Sequence, residues 1–129
     1  MKLPQLVAIL ISSPMLIIAC ASTSQQGNKV LKQQAYERKL HHENTVLLDV
    51  RTPEEYKEGH IKNAVLLDYN GGMFDSAFIM LDKEKTYLIY CRSGMRSDNA
   101  ATKMKTAGFK KVYQLKNGIK AWKGDIETK

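Results

Sequence analysis

Short apolar runs alternate with helical stretches from residue 29 onward, and that alternation constrains the fold more than any other feature. Residues 46–50 (VLLDV), 64–67, 86–90 and 112–115 read as strands with few polar positions, the pattern of a parallel sheet buried on both faces. Residues 29–40 carry Leu31, Ala35, Tyr36 and Leu40 at helical spacing. Pro53, Glu54 and Glu55 behind Thr52 read as a first helical turn, which Gly59 stops. Residues 74–81 fit a short helix. Residues 97–107 fit a longer one, with Ala100, Ala101, Met104 and Ala107 on one face and Gly108 after its end. A last helix is expected over 119–122, after Asn117-Gly118. Strands and helices joined by short turns, with no internal repeat, predict an α/β domain: a parallel sheet flanked by helices. In such sheets ligands bind beyond the carboxyl ends of the strands.

Cys91 stands at one of those ends. It closes the run Thr86-Tyr87-Leu88-Ile89-Tyr90 and opens the polar loop Arg92-Ser93-Gly94-Met95-Arg96 before the helical pattern at Ser97. A thiol delivered to a glycine-containing turn before a helix N-terminus meets unpaired N–H groups and the positive end of the helix dipole, which favours thiolate. Arg92 and Arg96 add positive charge, so the loop suits an anion held against a nucleophilic sulfur. That polar surrounding separates Cys91 from an inert structural cysteine.

The start of the chain has a different character. Lys2 precedes the apolar runs 6–11 and 15–19, which Ser12, Ser13 and Pro14 interrupt. A spanning helix needs roughly 20 apolar residues, and this segment is short and broken, so a cleaved export signal over 1–19 fits better. Its end, Leu16-Ile17-Ile18-Ala19-Cys20, resembles the lipobox of bacterial lipoproteins, which implies lipid modification at Cys20, a membrane attachment and a place in the cell envelope; an uncleaved anchor or plain secretion to the periplasm is the alternative. Only two cysteines are present, so a lipidated Cys20 leaves Cys91 without an internal disulfide partner. Residues 20–28 are polar and read as a flexible tether, leaving one small domain over 29–129. The net charge of +7 reads first as a solvated basic surface, and a field of that sign would also draw in small anions and suit an anionic membrane. No interleaved ladder of aromatic and basic residues suggests nucleic acid. The adjacent pair His41-His42 lacks the spaced companions a metal needs, and neither metal nor cofactor is expected.

The segments Leu47-Leu48-Asp49-Val50-Arg51-Thr52-Pro53-Glu54-Glu55-Tyr56, Gly59-His60-Ile61-Lys62-Asn63-Ala64, Cys91-Arg92-Ser93-Gly94-Met95-Arg96-Ser97, Ala107-Gly108-Phe109 and Asn117-Gly118 before Trp122 resemble, in this order, the rhodanese family. The resemblance implies a small single-domain bacterial thiosulfate sulfurtransferase. Cys91 would be the nucleophile that takes the outer sulfur of thiosulfate or another sulfane donor, and a thiol or cyanide would accept it from the persulfide. The N–H groups of Arg92, Ser93, Gly94, Met95, Arg96 and Ser97 would cradle the sulfur anion. Arg92 and Arg96 would grip the sulfonate of the donor. Asp49 and Arg51 would support the loop through hydrogen bonds, and His60 and Trp122 would pack. Asn63 and Asn117 stand where the family often has glycine, and asparagine tolerates positive φ best among the other residues. Met95 would make the mouth more apolar and softer toward sulfur.

Two other readings stay open. A cysteine-based phosphatase or arsenate reductase uses a related loop, but its arginine follows the cysteine by one residue more than Arg96 does, and Ser97 occupies that position. A sulfur-carrier module that binds a thiol-bearing partner protein in the envelope is the other.

Overall fold

The computed structural model describes residues 28–128. The expected signal peptide, the lipidation site Cys20 and the tether up to residue 27 lie outside the described residues.

Chain order runs β1 (Lys29–Leu31), α1 (Gln33–Leu40), β2 (Thr45–Asp49), α2 (Pro53–Glu58), β3 (His60–Ile61), β4 (Val65–Leu66), α3 (Met73–Ala77), β5 (Thr86–Tyr90), α4 (Met95–Thr106), β6 (Val112–Leu115) and β7 (Ile126–Glu127). Single 3-10 turns cover Phe78–Met80 and Ile119–Ala121. Five strands form one parallel sheet in the order β1-β6-β5-β2-β4, while β3 and β7 pair antiparallel at its side.

Period-two alternation in the strands divides the core. Tyr87, Ile89 and Cys91 turn to one face with Leu48 and Val50, where Ala100, Ala101 and Met104 of α4 cover them together with Phe74, Phe78 and Phe109. Leu88 and Tyr90 turn to the other face with Leu47, beneath Tyr36 of α1. Helices therefore cover both faces, as the unbroken apolar strands demanded.

Strand order also locates the site. From β2 the chain crosses to β4 on one side, and from β5 it crosses to β6 on the other, so the direction of winding reverses between neighbouring β2 and β5. The carboxyl ends of those two strands, Asp49 and Tyr90, flank the switch point where doubly wound sheets open a crevice. Cys91 is the next residue along.

Four expectations need correction. Residues 29–31 are a strand rather than the start of α1, because their pairing with Tyr113, Gln114 and Leu115 outweighs helical spacing. Asn28, counted with the tether, is bound to α4: its amide donates to Asp98 Oδ1 at 2.7 Å and to Thr102 Oγ1 at 2.8 Å. Helix α4 starts at Met95 instead of Ser97, since Gly94 already accepts the Asp98 N–H at 2.9 Å. The last expected helix is one 3-10 turn at Ile119–Ala121, and the chain then runs on into β7. Asn63 and Asn117 do take positive φ, 65° and 62°.

Candidate active site

Alternation along β5 aims Cys91 at the α4 side, where only 1% of the residue is exposed. Burial alone pushes a thiol pKa up. Here the Ser97 hydroxyl and the N–H groups of Ser97, Gly94 and Ser93 outweigh burial and hold the thiol below its ordinary value. The Gly94 N–H donates to Sγ at 3.0 Å, and Ser97 Oγ stands 3.5 Å from it. This separates Cys91 from a structural core thiol, whose pKa would rise.

Gly94 makes the arrangement possible. At φ 122° it occupies a region that side chains with a Cβ rarely adopt, so the chain turns its N–H to the sulfur and its carbonyl to the first turn of α4. The sulfur then faces the N-terminal end of a twelve-residue helix. Ser97 Oγ lies 3.0 Å from the Gly94 carbonyl and 3.0 Å from Gln114 Oε1, so one hydroxyl proton is offered several acceptors. Gln114 Nε2 donates in turn to Asp98 Oδ1 at 2.8 Å. Asn28 and Gln114 together hold the Asp98 carboxyl below its usual range. A chain of hydrogen bonds thus links the sulfur to the surface of α4.

The floor of the loop comes from the segment after β6. Ile119 and Lys120 donate their N–H groups to the carbonyls of Cys91 and Arg92 at 2.9 and 3.1 Å. Gly118, at φ 62°, passes so close that a Cβ there would be driven into those two carbonyls.

Arg96 leaves the loop toward α2 and holds Glu55 with both ends of its guanidinium: Nη1 donates to Oε2 at 2.7 Å and Nη2 to Oε1 at 2.9 Å. Arg92 is exposed, as are Ser93 and Met95, the last at 77%. The two arginines that the sequence assigned to one task are therefore placed differently.

Asp49 and Arg51 form a buried pair beneath the switch point. Arg51 donates through Nη2 to Asp49 Oδ2 at 2.7 Å and through Nε to Oδ1 at 3.0 Å, and Nη2 also reaches the Gly59 carbonyl at 2.7 Å. The Tyr90 hydroxyl donates to Asp49 Oδ2 at 2.6 Å and accepts the Ile61 N–H at 3.0 Å. Burial, with the Asp49 charge beside it, pushes the Tyr90 hydroxyl pKa up. The pair thus reaches the active loop through Tyr90, the residue before Cys91. His60 is buried with Nδ1 2.9 Å from the Tyr56 carbonyl and its ring stacked on Tyr56 at 3.7 Å. Trp122 is half-buried against Tyr36, with ring centroids 6.3 Å apart.

Sequence reasoning missed Glu55, Gln114, Tyr90 and the floor at 118–120. Two left a signal: Glu55 completes a capping box with Thr52, and Gln114 is the polar exception in an apolar strand. Among the described residues, a cavity of about 510 Å³ lies away from Cys91, walled by Glu37, Leu47 and Trp122 among others.

The profile of the rhodanese-like domain family matches residues 32–125, so it takes in β2, the Cys91 loop and the floor beneath it. The chain belongs to the rhodanese-like domain family. Relatives within it include YtwF of Bacillus subtilis (strain 168), a presumed sulfurtransferase, 40% identical over 87 residues that make up 67% of this chain and 82% of that protein. The thiosulfate sulfurtransferase GlpE of Coxiella burnetii is 38% identical over 83 residues, 64% of this chain and 76% of its own. The rhodanese-like domain of the Alr3790 protein from Anabaena sp. superposes with a TM-score of 0.68 at 25% identity, covering 78% of this chain and 80% of that one. The rhodanese-like fold thus accounts for the parallel sheet and for the loop at its switch point.

Proposed function

We propose that this rhodanese-like domain is a sulfurtransferase that carries sulfur as a persulfide on Cys91. The observation that carries the reading is the buried thiol held toward thiolate by the donors of its own loop. Kinship with proteins named as sulfurtransferases supports the same chemistry.

The Cys91 thiolate attacks the outer sulfur of thiosulfate. A bond forms from Sγ to that sulfur, the bond to the sulfonate sulfur breaks, and sulfite leaves with the electron pair. The terminal sulfur anion then rests among the N–H groups of residues 92–97. A thiolate acceptor takes the outer sulfur as its own persulfide, or cyanide takes it as thiocyanate, and either exchange returns the Cys91 thiolate. Arg92, exposed at the mouth, meets the sulfonate. The lipobox-like ending at Cys20 supports export and lipid attachment, with donor and acceptor drawn from the cell envelope.

Intact-protein mass after incubation with thiosulfate tests the persulfide. Wild type should gain one sulfur atom at Cys91, lose it to added cyanide, and Cys91→Ser should gain nothing. An unmodified wild type that hydrolyses an aryl phosphate through Cys91 would establish the phosphatase reading instead. One that does neither would favour the sulfur-carrier or partner-binding module.

A further inference from the structure

Arg96 is the guanidinium of the active loop best anchored for a donor, yet its two outer nitrogens are already committed. Glu55 takes both, at 2.7 and 2.9 Å, in the two-pronged geometry that arginine offers to carboxylates. Glu55 is itself held from a second side, because its Oε2 accepts the Thr52 N–H at 3.0 Å while its own N–H donates to Thr52 Oγ1 at 3.3 Å. The carboxylate therefore belongs to the N-terminus of α2 and cannot follow Arg96 if the arginine turns to a ligand. The Arg96 hydrogen bonds hold the Glu55 carboxyl down to about 2, so it stays charged wherever the thiol reacts. Close to the sulfur, Arg96 and Glu55 thus form a neutral pair, and Arg92 is the exposed arginine of the loop.

We infer that Glu55 is a specificity-determining residue: by occupying Arg96 it ranks sulfane donors with an uncharged tail, the organic persulfides, above dianionic thiosulfate. The inference rests on the sulfurtransferase reading and names its donor class. Thiosulfate must bring two negative charges to a mouth with one exposed arginine, or displace a carboxylate that has its own hydrogen bonds. An organic persulfide brings no sulfonate and meets no such demand. Cys91 thiolate attacks its outer sulfur, the sulfur–sulfur bond of the donor breaks, and the organic thiolate leaves with the electron pair. The proton of the protonated donor stays on the transferred sulfur. The exposed thioether of Met95 offers such a tail an apolar contact at the mouth.

Glu55→Gln tests this and keeps the capping box, since glutamine serves at that position as well as glutamate. Single-turnover loading of Cys91 from thiosulfate and from mercaptoethanol persulfide is compared on the full chain by intact mass. The thiosulfate-to-persulfide rate ratio should rise about tenfold, the low end of what one freed charged hydrogen bond supplies. The gain should shrink at high salt and vanish in the double variant Glu55→Gln/Arg96→Gln. Parallel loss with both donors would make the pair a loop brace and overturn the inference, as would an unchanged ratio. A wild type that loads from neither donor would overturn the sulfurtransferase reading along with it. A thermal melt of each variant shows whether the fold has survived. If Glu55→Gln unfolds, Glu55→Asp, which shortens the reach to Arg96, carries the same ratio test.

Discussion

Ser97 has one hydroxyl proton and three neighbours that can accept it: the Gly94 carbonyl, Gln114 Oε1 and the Cys91 sulfur. With a thiol, the sulfur donates to Ser97 Oγ; with a thiolate, the Ser97 proton turns to the sulfur and stabilises the charge. Burial raises the thiol pKa and the Ser97 hydroxyl is the largest influence against it. Ser97→Ala should therefore shift the alkylation profile of Cys91 to higher pH and slow alkylation at neutral pH by about tenfold, the scale of one hydrogen bond to a charged group. The sign follows from the charged form being the nucleophile: rates rise with pH until the thiol is ionised, and a raised pKa delays that plateau. Iodoacetamide kinetics across pH check it, and an unmoved profile would place the stabilisation in the backbone donors alone. Cys91 was legible in the sequence because a polar, glycine-bearing loop followed an apolar strand. Glu55 was not, since its role depends on a partner 41 residues away.

The turn between β6 and Trp122 looked like the opening of a helix, but it is the floor of the active loop. Its N–H groups at Ile119 and Lys120 satisfy the carbonyls of Cys91 and Arg92, and Gly118 lets the two backbones touch. Gly118→Ala meets a positive φ of 62° and a collision with backbone that has no free side-chain end to give way. It should cost about 1–3 kcal/mol in urea unfolding and lower sulfur loading along with it, because relief of the clash moves the loop. Full stability with full loading would mean that the floor yields without cost. A similar tertiary decision set β1: three residues with helical spacing became a strand because β6 offered them an open edge. Local pattern cannot report such an offer, as the partner lies more than eighty residues along the chain.

In the function proposed above, the net charge of +7 of the whole chain and the lipobox-like ending would set a rhodanese-like fold at a membrane surface. In cells, wild type should partition with membranes and take up labelled fatty acid, while Cys20→Ala should lose the label and accumulate unprocessed. Undiminished labelling of the variant would remove Cys20 from the attachment. The α/β class, the parallel sheet and the place of Cys91 at a strand end were determined by the sequence itself, since each follows from periods of two and 3.6 residues and from turn chemistry within short windows. Only the tertiary structure decided which side the sulfur faces, that Arg96 is held by Glu55, that Tyr90 ties Asp49 to the residue before Cys91, and that Gly118 supports the loop. Those contacts join distant residues, and their existence depends on strand order and helix placement that only the collapse of the whole domain around its two half-cores settles.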